Sequence, residues 1–171
     1  MKKRTLSFVI ALSLVFLSFL IDYTQIYAAT SITARPTFST WFGSSYAICH
    51  EGNLWAWGNN QFGQLGDGTI TEAGYDYFIN NNRRSPVKIM DNVVAISAGV
   101  NHVAAIRGDD SLWLWGSNEN GQLGDGNGGN WGLFSPVPIR VLEDVSYVSA
   151  GGHHTMAILN DGSLWSFGDN R

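Results

Sequence analysis

The chain has 171 residues, of which 10 are basic and 14 acidic, so that only 14% are charged. It contains 20 glycines and 7 tryptophans but a single cysteine, which can form no internal disulfide. This composition excludes a basic nucleic-acid-binding protein and a disulfide-stabilised scaffold, and it favours short strands, tight turns and an aromatic core.

The first 28 residues have the layout of a secretory signal peptide. Three basic residues open the chain, residues 6–21 are apolar except for three serines, and Ala28 precedes a plausible cleavage point. This run of 16 residues is shorter than the roughly 20 that a membrane-spanning helix needs. We therefore expect export, to the extracellular space or the cell surface.

Cleavage would make the chain more acidic. Residues 1–28 contain three of the 10 basic and one of the 14 acidic residues, so residues 29–171 would carry 7 and 13, a net charge of −6. An acidic exported protein of this kind is expected to bind neither nucleic acid nor, after cleavage, a membrane.

The rest of the sequence repeats. A Leu-Trp motif occurs around Trp55, Trp113 and Trp165, at separations of 58 and 52 residues. The block Gly-Gln-Leu-Gly-Asp-Gly occurs at 63–68 and again at 121–126. A period near 50 residues is typical of solenoids and propellers.

Each unit predicts four short strands separated by turn residues. Those strands lie at 93–97, 102–107 and 111–115 in the second unit, and the last segment of the first unit lies at 86–89. Proline in the last segment removes a backbone donor, which indicates an outer edge strand. The prediction is an all-β fold, a β-propeller of four-stranded blades, here partial with about two and a half repeats. The units lie at approximately 36–92, 93–144 and 145–171, the third truncated.

The repeated Ser-Ala-Gly, the histidine three residues later and the Gly-Gln-Leu-Gly-Asp-Gly block resemble the regulator of chromosome condensation repeat family. The resemblance covers about residues 36–171 and implies a seven-bladed propeller with four strands per blade. The first unit departs from the pattern, with Trp41 in place of glycine and Ser44 in place of histidine. Because blades are buried only against neighbours, so few units should leave an apolar blade face exposed. We expect a fragment of a longer protein; the alternative is closure by association with other chains.

No residue pattern indicates catalysis, a metal site or a cofactor. His102 and His154 recur at one repeat position, which favours a structural role because a catalytic residue would be needed once. Cys49 lies in an apolar segment predicted as a strand, so we expect a buried, inert thiol there. Loop 125–130 carries oxygen ligands that calcium uses, but Asp-Gly and Asn-Gly are ordinary turn dipeptides, and this question stays open.

The candidate binding residues lie where the units differ. Sixteen residues, 69–84, separate two shared blocks in the first unit, whereas eight residues, 127–134, separate them in the second. Both loops carry aromatic residues beside asparagines: Tyr75, Tyr77, Phe78, Trp131 and Phe134. Equivalent loops of consecutive blades emerge on one side of a propeller, so we expect these rings to form one patch suited to partner binding. The alternative is that they fold back onto the blade edges.

The function predicted is that of an exported, non-catalytic protein that binds another protein through this loop face. A carbohydrate- or cell-wall-binding module is the alternative, in which Tyr75, Tyr77 and Trp131 would stack on sugars. The resemblance also admits a secreted propeller that inhibits an enzyme, or a part of a larger enzyme. The namesake's nuclear exchange-factor role is disfavoured by the signal peptide and the acidic charge.

Overall fold

The computed structural model describes residues 37–41, 43–73, 78–128 and 132–170. Within these ranges the chain forms strands and no helix, and so offers no helical segment that could cross a membrane. The predicted signal peptide lies outside the described residues. The strands are β1 (Thr37–Trp41), β2 (Ser44–Ile48), β3 (Leu54–Gly58), β4 (Glu72–Ala73), β5 (Phe78–Ile79), β6 (Arg83–Met90), β7 (Val93–Ala98), β8 (His102–Arg107), β9 (Leu112–Ser117), β10 (Phe134–Leu142), β11 (Val145–Ala150), β12 (His154–Leu159) and β13 (Leu164–Gly168).

All strands except β4 and β5 form three antiparallel sheets that we call blades. Blade 1 has the order β1-β2-β3-β6, blade 2 the order β7-β8-β9-β10, and blade 3, in the described residues, β11-β12-β13. The predicted all-β fold with four-stranded sheets is confirmed. Pro86 and Pro136 lie in β6 and β10, the outer edge strands, where a missing backbone donor costs no ladder bond.

The long loop of the first unit contains structure that the sequence did not indicate. Strands β4 and β5 pair as a small hairpin, with Glu72 opposite Ile79. Strand β6 begins at Arg83, three residues before the predicted segment, because Arg83 pairs with Gly58 at the end of β3.

Burial along the strands shows which blade faces are covered. In β2 the buried side chains alternate with half-buried ones, as for a sheet covered on one face. In β8 both faces are buried, because blade 2 lies between the other two blades. In β12 the alternation returns: Thr155 and Ala157 are buried, whereas Met156 and Ile158 are exposed.

The core consists of two apolar clusters, one at each junction between consecutive blades. The junction of blades 1 and 2 buries Tyr46, Ile48, Leu54, Ala56, Leu65, Val93, Ala98, Val103, Ala105 and Trp115. The junction of blades 2 and 3 buries Ala104, Ile106, Leu112, Leu114, Leu123, Val145, Val148 and Ala157. Stability therefore depends on contacts between blades, as expected of a repeat architecture.

A serine in the first strand of blade 1 and another in the first strand of blade 2 also join each of these blades to the next. The hydroxyl oxygen of Ser39 accepts a hydrogen bond from the Ala98 backbone N–H at 2.9 Å. Ser97, one repeat later, accepts one from the Ala150 N–H at 2.9 Å. The same bond at both junctions holds consecutive first strands in one register.

The glycine of the Ser-Ala-Gly motif makes room for the histidine that follows it. A Cβ on Gly99 would lie 2.4 Å from Cε1 of His102, and a Cβ on Gly151 would lie 2.5 Å from Cε1 of His154. Blade 1 has Trp41 and Ser44 at these positions. Because serine is short, no ring occupies the space and glycine is not required; the two departures of the first unit form one coupled change.

We expect Gly99→Ala to lower the free energy of unfolding by about 1 to 3 kcal/mol, because the new methyl group overpacks a rigid junction. It would also lie 2.4 Å from the Gly151 carbonyl oxygen. Gly152→Ala is the matched control, since its nearest neighbour, a methyl of Val100, is 3.9 Å away. Urea denaturation followed by circular dichroism measures both; equal effects would contradict this account of the motif.

The prediction of a buried Cys49 within a strand is wrong. Strand β2 ends at Ile48, and Cys49 is the first residue of the following turn, where its backbone N–H bonds to the Asn53 carbonyl at 3.0 Å. Its side chain is half-buried. The prediction failed because Cys49 continues the apolar run of the sequence, although the strand already ends at Ile48.

Candidate functional site

The two loops with predicted binding residues leave the same end of their blades, which we call the loop end. In blade 1, residues 59–82 connect β3 to β6, and Gly58 pairs with Arg83 at their base. In blade 2, residues 118–133 connect β9 to β10, and Ser117 pairs with Phe134. The turn between β1 and β2 also lies at this end.

A buried asparagine organises the base of each loop. Asn60 accepts from the Leu65 N–H at 3.1 Å and donates to the Thr69 carbonyl at 2.8 Å. Asn118 accepts from the Leu123 N–H at 3.0 Å and donates to the Asn127 carbonyl at 2.6 Å. Sequence analysis missed this pair, although both asparagines recur five residues before the leucine of the shared block.

The aspartate of the shared block is a structural anion. In blade 1 the Asp67 carboxylate accepts from the Thr69 N–H at 3.0 Å and from Nε of Arg83 at 2.6 Å. Burial raises its pKa, but hydrogen bonds from Thr69 and Arg83 outweigh burial, so the net pKa of Asp67 is below its ordinary value. The carboxylate is therefore ionised at neutral pH and pins the start of β6 to the loop.

Asp125 has the corresponding role in blade 2. Its carboxylate accepts from the Asn118 side chain at 2.9 Å and from the Asn127 N–H at 3.0 Å, so its oxygens close the turn. Residues 129–130 of the loop considered for calcium lie outside the described residues. Among the residues that are described, no three His, Cys, Asp or Glu side chains cluster as metal ligands would.

Each loop is also held by the blade that follows it. The Gln64 carbonyl accepts from the Tyr46 hydroxyl at 2.8 Å and from Nε1 of Trp115, in blade 2, at 2.9 Å. The Trp115 ring covers Gly66, where a Cβ would lie 2.8 Å from Nε1. The side chains between these anchors are thus presented on a frame that spans two blades.

The second loop is anchored to blade 3 through a short relay. The Gln122 carbonyl accepts from the Thr155 hydroxyl at 2.8 Å, and Thr155 Oγ1 lies 2.9 Å from Nε2 of buried His102. Because the threonine proton goes to Gln122, His102 must donate from Nε2. Burial lowers the pKa of His102 to about 4, with smaller contributions from His153 and His154. His102 is therefore neutral and joins blade 2 to blade 3, the structural role predicted for it.

The structure places two of the five predicted binding residues. Phe78, on β5, is 65% exposed, and Phe134, at the start of β10, is 37% exposed. Phe134 borders a cleft lined by Asn118, Leu123 and Ile139. Tyr75, Tyr77 and Trp131 lie outside the described residues, so the single aromatic patch stays a prediction.

Trp41 adds an exposed ring that sequence analysis did not include in the site. It ends β1 at the loop end, opposite Ser44, and is 51% exposed. The sequence did contain a signal for this residue, namely its position in the repeat. Trp41 replaces the glycine of the other two repeats, and no buried residue has to pack against its ring.

The sequence pattern of the regulator of chromosome condensation (RCC1) repeat matches residues 51–106 and 109–158. The chain belongs to the RCC1 repeat family. A second description of the RCC1 repeat matches residues 93–122. The matched ranges include parts of all three blades, so the resemblance inferred from the sequence motifs is confirmed.

Relatives and solved structures match the RCC1 repeats of this chain over about three quarters of its length. It is 34% identical over 132 residues to the human probable E3 ubiquitin-protein ligase HERC6, covering 74% of this chain and 12% of that protein. It is 31% identical over 135 residues to the mouse regulator of chromosome condensation, covering 74% of this chain and 29% of that protein.

Among solved structures, Prp20p of Saccharomyces cerevisiae aligns with a TM-score of 0.63 and 28% identity, over 78% of this chain and 30% of Prp20p. That structure is described together with the binding of Prp20p to Gsp1p and histones. The chain thus spans less than a third of the length of each of these relatives.

Proposed function

We propose that this chain is an exported, non-catalytic RCC1-repeat protein that binds another protein through its loop end. The observation that carries the proposal is the exposed Phe78, which projects from a hairpin whose base is fixed by the hydrogen bonds of Asn60 and Asp67. Large aromatic side chains on such surfaces are the residues that most often dominate binding energy.

The hydrogen bonds that hold the bases of the loops favour binding, because the loops lose little conformational entropy when a partner binds. The loop of blade 1 is bonded to Tyr46 below it and to Trp115 in the next blade. The loop of blade 2 is bonded to Thr155 of blade 3. Aromatic rings add contact area with only two side-chain torsions to restrict.

The family relationship supports a protein as the ligand. Prp20p, which aligns with this chain over 30% of its own length, binds Gsp1p and histones. HERC6 is named as a probable ligase, but the match covers only 12% of it and so carries no catalytic assignment to this chain. Export rests on the signal-peptide layout of residues 1–28.

The test compares Phe78→Ala and Phe134→Ala with His50→Ala, an exposed ring in the turn after β2, at the opposite end of blade 1. Extracellular proteins crosslinked to the chain are identified, and the affinity of each purified partner is measured. We expect Phe78→Ala to weaken binding by about 30-fold, as for a hot-spot residue, and His50→Ala to have no effect.

Three results would each contradict a part of the proposal. If neither phenylalanine substitution changes the affinity of a purified partner, the loop end is not the binding surface. If the chain is instead retained on polysaccharide, and Phe78→Ala abolishes that retention, the ligand is a glycan. Detection of the chain only inside the producing cells would overturn export without bearing on the surface.

A further inference from the structure

The aspartate of the shared block is paired with a cation in blade 1 but not in blade 2. In blade 1, Oδ2 of Asp67 accepts a hydrogen bond from Nε of Arg83 at 2.6 Å. Arg83 begins β6 and lies opposite Gly58. In blade 2 the residue opposite the equivalent glycine, Gly116, is Ser135, whose side chain is short and uncharged. Blade 2 therefore repeats the carboxylate without the guanidinium.

Asp125, the aspartate of blade 2, is hydrogen-bonded only to neutral groups. Its carboxylate accepts from the Asn118 side chain at 2.9 Å and from the backbone and side-chain N–H groups of Asn127 at 3.0 and 3.1 Å. A carboxylate has about four acceptor sites, so one is left. Within the part of the chain that the structure describes, no lysine or arginine lies at ion-pair distance from Asp125.

The carboxylate of Asp125 is also charged at neutral pH. Burial raises its pKa, but hydrogen bonds from Asn127 and Asn118 outweigh burial, so the net pKa is below the ordinary value. The site thus keeps a negative charge that the chain itself does not neutralise.

A cleft of about 270 Å³ lies beside this carboxylate, and we call it the blade 2 cleft. It has a polar lining of Asn118, Asp125, Asn127 and Ser135 and an apolar lining of Leu123, Leu133, Phe134 and Ile139. Its volume is below the roughly 300 to 1,000 Å³ of small-molecule pockets, which suits a single side chain. The methylene groups of a long cationic side chain would lie along the apolar lining while its charged end meets the carboxylate.

The blade 2 cleft is formed by blade 2 alone. Every lining residue lies in the loop 118–133 or in β10. In blade 1, the next blade contacts the loop at Gly63, where a Cβ would lie 2.7 Å from Cα of Pro136. The equivalent residue of blade 2, Gly121, is not part of the cleft lining. The cleft therefore results from a difference between the repeats, because in blade 1 Arg83 of the same blade pairs with the carboxylate.

We propose that the blade 2 cleft binds an arginine side chain of the protein partner, which pairs with Asp125 as Arg83 pairs with Asp67 in blade 1. This inference rests on the proposed function of the loop end and specifies the partner's chemistry. A guanidinium matches a carboxylate with two parallel N–H groups, and it stacks on aromatic rings such as Phe134, which is 37% exposed. The net charge of −4 also attracts a basic partner.

The test titrates the isotope-labelled full chain at neutral pH with the blocked peptide Gly-Gly-Arg-Gly-Gly and follows the backbone amides by NMR. We expect a Kd of about 1 mM, as for a contact made by one side chain, with shifts concentrated at Asn127 and Phe134. A peptide with citrulline in place of arginine keeps the shape without the charge and should bind at least about fivefold more weakly. A lysine peptide should be weaker by about threefold, because an ammonium group lacks the planar fork.

Two substitutions test the residues of the site. Asp125→Asn should weaken binding of the arginine peptide by about fivefold. Ser135→Arg supplies the guanidinium from β10, as Arg83 does from β6, and should abolish binding while Asp125 stays in place. The matched control is Asp161→Asn, because Asp161 is an exposed turn aspartate that accepts from the Ser163 N–H at 2.8 Å. It should leave the affinity unchanged.

Peptide that causes no shifts up to about 10 mM would overturn the proposal. So would equal affinities for the arginine and citrulline peptides, or binding that persists in Ser135→Arg. If Asp125→Asn does not fold, Ser135→Arg still decides the question, since it retains the hydrogen bonds of the turn.

The same variant separates this inference from the proposed function. Phe78 is not part of the blade 2 cleft. A purified partner whose affinity falls with Phe78→Ala but not with Ser135→Arg would preserve partner binding at the loop end and overturn the arginine site. A partner weakened at least about fivefold by Ser135→Arg, with Asp161→Asn unchanged, supports both.

Discussion

Trp115→Ala is expected to lower the free energy of unfolding by about 3 to 5 kcal/mol, the range for a large aromatic side chain removed from a core. Trp115 is fully buried at the junction of blades 1 and 2, covers Gly66 and donates its Nε1–H to the Gln64 carbonyl at 2.9 Å. Its loss would leave a cavity at the junction and release the loop of blade 1 from blade 2.

Trp115→Phe separates the two contributions of the ring. Blade 3 has Phe167 at this position, covering Gly124 as Trp115 covers Gly66. Phenylalanine keeps most of the packing and loses the hydrogen bond, so a cost of about 1 to 3 kcal/mol is expected. Urea denaturation measures these variants, with the half-exposed Trp165→Ala as the control of smaller effect. A phenylalanine variant as unstable as the alanine variant would show that packing contributes little.

The second prediction is a loss of stability on mild acidification. His102 has a pKa of about 4 in the folded chain and an ordinary value of 6.5 when unfolded, mainly because it is buried. Between these values the unfolded chain takes up a proton that the folded chain does not, so acid favours unfolding. The free energy of unfolding is therefore highest above pH 6.5. It falls by about 3 kcal/mol in total as the pH decreases from 6.5 toward 4, because His102 is protonated first in the unfolded chain.

The aspartates of the turns affect stability in a lower pH range than His102 does. The folded pKa of Asp67 is below its ordinary value of 3.8, so the stability that it contributes is lost only as the pH falls below that value. Unfolding free energies measured between pH 7 and 4.5 therefore avoid most of the aspartate titration, and the contribution of His102 is obtained by comparison with a variant. His102→Gln has a neutral amide in place of Nε2 and should remove most of this pH dependence. A variant that retains the full slope would assign the effect to other groups.

The fold follows from the sequence because the repeats are compared within one chain. Three tryptophan motifs about 50 residues apart, with Gly and Asp between short apolar runs, indicated blades. Pro86 and Pro136 indicated the outer strands, and the structure confirms both. The β4–β5 hairpin could not be foreseen, because two-residue strands carry no periodic signal.

The candidate site was only partly accessible from the sequence. The loops with Phe78 and Phe134 stood out because the units differ there in length, and the structure shows both rings exposed. The role of Asn60 could not be read from its residue type, because asparagine is also common in solvated turns. Only the structure shows its side chain buried and bonded to Leu65 and Thr69.

The sequence by itself determined the all-β class, the repeat unit, the outer position of the proline-containing strands and the structural use of His102, since each leaves a local pattern that recurs. The tertiary structure decided what lies across a junction. It showed that Trp115 donates to Gln64, that His102 reaches Thr155, and which faces of blades 1 and 3 are exposed. These contacts join residues about 50 positions apart, and which pairs meet is set by the packing of one blade on the next rather than by any local spacing.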